Sequence, residues 1–227
     1  MRDRAAGHGP GSGTWHPGRE GDEAPWRLFI ALPVPARVRD TLATALDPVR
    51  ARLRGGRWQD PGTWHLTLRF LGDTPPGSVP AIEAALHDAA AGQAPFEASL
   101  GRAGSFAGRG GRVAWVGLEL GVEPVARLAG SLAALLAPGE VEREPFRAHL
   151  TVARDAPDGL VPALQTALDA ARASAAGPPR VGLGRPAQPI AGRDALAWTA
   201  DRLVLYRSVL GRGGAVHTEI AGARLEG

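Results

Sequence analysis

The chain has no cysteine and no lysine, and only one tyrosine and one methionine among its 227 residues. Without cysteine there is no disulfide framework, no thiol nucleophile and no Cys-type zinc site. All 26 basic side chains are Arg, set against 23 acidic ones, so the formal net charge is only +3. The isoelectric point of about 10.7 overstates that balance, because almost nothing titrates between His and Arg. Arginine-only usage beside abundant Ala, Gly and Pro reads as a GC-rich coding bias rather than a nucleic-acid signature. Long apolar runs are missing too. "LFIALPV" and "SLAALLA" fall far short of the roughly 20 residues a membrane span needs, and the N-terminal stretch has no signal-peptide apolar segment. A soluble, monomeric, cytoplasmic enzyme or binding protein is expected, with no membrane partner.

What is present is an ordinary globular composition, 44% hydrophobic and 22% charged, on a chain long enough to bury a core. Residues 1–25 are rich in Gly, Pro and charge with no hydrophobic period, which predicts a disordered tail ahead of a single domain over 26–227. That tail removes His8 and His16 from consideration.

From Trp26 the pattern changes. "RLFIALPV" reads as a buried strand, and Pro35 opens a helix with Val38, Leu42, Leu46, Val49 and Leu53 at helical spacing. A second helix is predicted over 78–90, then strands in "FEASLGRAGSF" and "RVAWVGLEL" joined by a Gly-rich hairpin, "AGRGG". The second half begins with an amphipathic helix, "VEPVARLAGSLAALLA", followed by a strand in "PFRAHLTVAR" and a helix over about 157–175. Two late strands, "DRLVLYRSVLG" and "AVHTEIAGARL", flank an "RGG" turn. Each half, 27–120 and 121–225, thus holds helices and strands around one short motif, which predicts a duplicated α+β architecture.

The motif is "WHLTLRF" at 64–70 and "AHLTVAR" at 148–154. On a strand, side chains alternate faces, so His65, Thr67 and Arg69 share one side and Trp64, Leu66, Leu68 and Phe70 the core side. The second copy pairs His149 with Thr151 opposite Leu150 and Val152. Thr fills about one position in twenty, so finding it two places after two of only six histidines, in strand context both times, is an improbable accident.

A histidine near its ordinary pKa gives or takes a proton at neutral pH, and a Thr hydroxyl binds an oxyanion. Two histidines make an acid and a base. In-line displacement at phosphorus needs these on opposite sides, which two facing quasi-equivalent strands supply. The threonines then bind the non-bridging oxygens while an Arg balances their charge. Neither motif holds Asp, Glu or Cys, so no metal is called for. Phe29, Trp115 and Phe106 are candidates to stack on a base; His87 reads as a solvated helix residue and His217 as a strand residue.

These paired HLTL (65–68) and HLTV (149–152) stretches resemble the two-histidine (2H) phosphoesterase superfamily, and most of all its RNA 2′,3′-cyclic phosphodiesterase branch, the 2′-5′ RNA ligase family. "RLFIALPVP", "RVAWVGLE" and "LVLYRSVLGRGGAVHTEI" follow in the family's order, though the family often has Tyr where His217 stands. The resemblance implies a bilobal α+β fold, two antiparallel sheets facing across a central cleft with helices outside. It implies hydrolysis of RNA 2′,3′-cyclic phosphate ends to 2′-phosphomonoesters without a cofactor or metal. His65 would be the proton donor and His149 the acceptor, with Thr67, Thr151 and Arg154 binding the phosphate. Strand parity favours Arg69 over Arg154 for the charge, unless the strand ends or bends at Arg154. A small cyclic nucleotide or ADP-ribose cyclic phosphate as substrate, and a non-catalytic RNA-end binding module, stay open.

Overall fold

A computed structural model of the chain describes residues 24–108, 111–138, 146–175, 194–211 and 214–227. The predicted tail, apart from residues 24 and 25, lies outside them. Strand β1 (Trp26–Pro33) is buried on both faces from Leu28 to Leu32, so it needs backbone partners on both edges. It finds β3 (His65–Thr74) on one side and β8 (Arg202–Gly211) on the other, and β9 (Gly214–Arg224) completes a four-stranded antiparallel sheet in the order β3-β1-β8-β9. The second sheet has the order β2-β6-β5-β4-β7, from Arg57–Trp58, His149–Arg154, Gly111–Leu120, Phe96–Gly108 and Ala197–Ala200.

The expected α+β pair of antiparallel sheets is therefore found, but not as two consecutive halves. The first sheet joins strands from both ends of the chain, and the second is built from its middle. The reason lies in β1: its sequence neighbour β3 satisfies only one of its edges, and the remote β8 satisfies the other. Both predicted hairpins form, closing at Gly108↔Gly111 and Gly211↔Gly214.

Helices α1 to α4 cover the outer faces. In α1 (Ala36–Arg52) the residues Val38, Leu42, Leu46 and Val49 are buried, each contributing about 1.5–3 kcal/mol of burial. Leu53, predicted to continue that stripe, ends the helix as its cap. Helix α1 packs on α4 (Leu160–Ala175), which lies over β4 and β5. Helices α2 (Val79–Ala91) and α3 (Val122–Leu136) pack together, α2 over β8 and β9 and α3 against β3. Each sheet thus has one covered face and one face turned inward to a groove. No helix among the described residues is long and apolar enough to cross a membrane.

Candidate active site

On β3, Leu66 and Leu68 enter the core, while His65 and Thr67 stand half-buried on the opposite face. Registers with β1 run Pro33↔His65, Ala31↔Thr67 and then Ile30↔Arg69, Phe29↔Phe70, so Leu68 has no partner and the strand bulges there. A bulge inserts one residue and reverses parity beyond it. Phe70 therefore joins His65 and Thr67 on the groove face, 68% exposed, and does not occupy the core position that strict alternation predicts.

In the other sheet the register Gly117↔His149, Trp115↔Thr151 places His149, Thr151 and Trp115 on one face. Gly104↔Trp115 and Phe106↔Val113 extend that face into β4. Gly104 is required by contact: a Cβ there would sit inside the Trp115 indole, which crosses the backbone at that point. Trp115 is only 8% exposed and is a wall of the groove rather than a stacking surface; Phe106 is half-buried.

The two histidines are held alike. His65 Nδ1 lies 2.7 Å from the Thr63 carbonyl and His149 Nδ1 lies 2.8 Å from the Arg147 carbonyl. A carbonyl only accepts, so Nδ1 is the protonated nitrogen in both rings, and Nε2 is left for chemistry. Each ring is also boxed by aromatics. Phe29 stacks on His65 at 4.6 Å, and Phe106 meets His149 edge-on at 4.8 Å.

Burial pushes the His65 pKa down to about 4, against the opposing pull of the Thr63 carbonyl, and the His217 and His149 charges push the same way. Burial also lowers His149, with the Arg147 and Arg154 charges adding to it against the Arg147 carbonyl. In the free protein both imidazoles are therefore neutral at pH 7. Thr67 of β3 and His149 of β6 line one groove of about 750 Å³ together with Arg69, Phe70, Phe106 and Arg147, and His65 stands two residues before Thr67 on the same strand face. A larger cavity of about 1100 Å³ between α1 and α4 touches no motif residue.

Thr151 faces the same way as His149, beside Trp115. Arg154 is the last residue of β6, exposed, and the chain turns at once through Asp155 with φ 52°, so the strand ends there. The register with β5 runs Trp115↔Thr151 and then Ala114↔Ala153, so Val152 has no partner and β6 bulges there, which turns Arg154 toward the face of His149 and Thr151 and removes the parity objection.

Two residues escaped the sequence reading. Arg147 lies over the Phe106 ring at 5.6 Å and the Trp115 ring at 5.9 Å, and it lines the groove. Its place two residues before His149, on the same strand parity, was the available signal. His217, read from sequence as an ordinary strand residue, meets His65 edge-on at 5.2 Å and Phe29 at 5.0 Å. It sits on β9 and His65 on β3, opposite edges of one sheet, and only the sheet's curl brings them together over Phe29. His87 is exposed, as expected.

The family model for LigT-like phosphoesterases matches residues 32–115. An RNA 2′,3′-cyclic phosphodiesterase of Thermus thermophilus is 36% identical over 141 residues, covering 56% of this chain and 68% of that protein. The chain belongs to the LigT-like phosphoesterase family, within the 2H superfamily. A second relative, the RNA 2′,3′-cyclic phosphodiesterase of Geobacillus stearothermophilus, is 32% identical over 130 residues, but the match spans only 41% of its length. Among solved structures, one from Thermus thermophilus is 31% identical with a TM-score of 0.62, covering 88% of this chain and 98% of that one. LigT of E. coli complexed with 3′-AMP shares the fold at 23% identity, with a TM-score of 0.64 over 90% of this chain and all of that one. The LigT-like assignment agrees with the doubled HLT motif and with the inward-facing sheets that carry it.

Proposed function

We propose that the protein hydrolyses RNA 2′,3′-cyclic phosphate ends to 2′-phosphomonoesters by two-histidine acid and base catalysis. The observation that carries this is the matched holding of His65 and His149, each with Nδ1 donating to the carbonyl two residues before it and Nε2 left over, on strands whose Thr67 and His149 line one groove. The names of the LigT-like relatives support the same substrate.

In this reading the cyclic phosphate enters between the rings. His149 Nε2 takes a proton from water as its oxygen bonds to phosphorus, and the bond from phosphorus to the 3′ oxygen breaks as His65 Nε2 delivers a proton to that oxygen. The 2′ ester bond survives, so the product is a 2′-phosphate. Proton exchange with solvent then restores the starting forms. The burial that depresses the His65 pKa makes its protonated form a strong acid, suited to a poor alkoxide leaving group. The substrate's negative charge supplies the attraction that loads the proton.

Thr67 and Thr151 donate their hydroxyls to the non-bridging oxygens, and Arg154 balances their charge from the end of β6. Among the described residues no group of three or more His, Cys, Asp or Glu side chains could hold a metal ion. The reading assigns the proton transfers to the imidazoles and names no cofactor.

Replacing His65 or His149 by Ala is expected to lower kcat by about two to four orders of magnitude with EDTA present. Steady-state rates on an oligonucleotide ending in a 2′,3′-cyclic phosphate measure this. Turnover that survives both substitutions, or that EDTA abolishes in the wild type, overturns the reading.

A further inference from the structure

Phe70 is the most conspicuous apolar side chain the reaction leaves unused. It is 68% exposed, and it faces the groove only because β3 bulges at Leu68. Bulges beside active sites re-aim side chains, and burying this phenylalanine would have required only a regular strand. Its ring lies 6.2 Å from Phe29, which in turn stacks on His65 at 4.6 Å. Phe70 therefore stands on the catalytic wall, one aromatic ring beyond the one that touches the imidazole. Phe29 itself is only 4% exposed and offers no open face.

Arg69 and Arg147 line the same groove, and no carboxylate is among the described residues lining it. An exposed aromatic face flanked by guanidinium groups, continuous with a phosphate-binding centre, fits single-stranded nucleic acid: bases stack on the ring while Arg neutralises the backbone. On the opposite wall Phe106 touches His149, so it is the aromatic within reach of the terminal nucleoside. Phe70, a ring further out, is in place for the next one.

We propose that Phe70 is a specificity-determining residue, a stacking platform for the nucleobase on the 5′ side of the terminal cyclic-phosphate nucleotide. The substrate is then a single-stranded RNA of at least two nucleotides rather than a cyclic mononucleotide. This rests on the hydrolytic reading above and adds to it the identity of what is attached to the phosphate.

The test compares kcat/KM for cytidine 2′,3′-cyclic phosphate with that for a tetranucleotide ending in the same group. The wild type favours the tetranucleotide. In Phe70→Ala the tetranucleotide-to-mononucleotide ratio falls roughly 5- to 150-fold, the range for loss of one base–aromatic stack, and Phe70→Trp restores it. A ratio unchanged in Phe70→Ala, or equal losses on both substrates, overturns the platform.

Fluorescence anisotropy of a labelled tetranucleotide bearing a 2′-phosphate, on a variant carrying both His65→Ala and His149→Ala, separates the two claims. Phe70-dependent binding by this variant, with no hydrolysis of the cyclic-phosphate tetranucleotide by the wild type, would sink the reaction and keep the platform. Hydrolysis with binding indifferent to Phe70 would do the reverse.

Discussion

Raising the pH should switch this site off early. His65 and His149 both lose proton affinity to burial, His65 from an ordinary 6.5 to about 4. At pH 7 about one free molecule in a thousand then carries a proton on His65. Acid and base form a coupled pair, so the kcat/KM profile reports two macroscopic values for the free enzyme, whichever ring plays which role. Both values lie below 6.5, since every resolved shift at the pair is downward. The profile should therefore peak on the acid side of pH 6.5 and fall about tenfold per unit above it. In the complex the phosphate charge raises the proton affinity, so the kcat profile is displaced to higher pH than that of kcat/KM.

The same shifts set the sign of a stability effect. A histidine whose folded pKa is depressed contributes stability that is present above pH 6.5 and is lost as pH falls toward 4, because the unfolded chain binds the proton first. For His65 the loss is about 3 kcal/mol at most, given its partial exposure. Initial rates on a cyclic-phosphate oligonucleotide from pH 4.5 to 8.5, with urea unfolding at pH 4 and pH 7, measure both effects. A kcat/KM plateau that holds through pH 7.5 would refute the reasoning. It would mean that the imidazoles are not desolvated as the aromatic boxes around them require.

Roles, which a pH profile cannot assign, follow from a substrate whose 3′ bridging atom is sulfur: a thiolate leaves without an acid. His65→Ala should then lose less than about tenfold, against two to four orders of magnitude on the oxygen substrate, while His149→Ala stays impaired on both. Gly104→Ala should destabilise the protein by about 1–3 kcal/mol in thermal or urea unfolding, because its methyl displaces the Trp115 indole from the groove wall. His217→Phe keeps a ring against His65 and should retain kcat within a few-fold, whereas His217→Ala opens that side of the imidazole and should lower kcat about tenfold with little change in KM.

The shared face of each His and Thr was legible in the sequence because it depends only on neighbours. His65 with Thr67, and His149 with Thr151, share a face through the two-residue period of a strand, and that period holds as far as Leu68 and Val152. Helix α1 was legible for the same reason, its stripe from Val38 to Val49 being local.

What was hidden depends on irregularity or on distance along the chain. No letter in "LRFLG" marks the bulge that turns Phe70 outward, so strict alternation placed that residue in the core. The pairing of β1 with β8 spans most of the chain, and two apolar strands far apart carry no mark that they are partners; the halves therefore looked self-contained. The meeting of His217 with His65 needs both that pairing and the curl of the finished sheet. Strand β7, only four residues of "AWTA", is too short to show a period at all.

The central claim is that two opposed imidazoles open a cyclic phosphate at its 3′ oxygen. It is tested most directly by incubating the protein with an oligonucleotide ending in a 2′,3′-cyclic phosphate, in EDTA, and locating the product phosphate by phosphorus NMR. A single 2′-phosphomonoester resonance is the predicted result. A 3′-phosphomonoester, or an intact cyclic phosphate after prolonged incubation, would contradict the account.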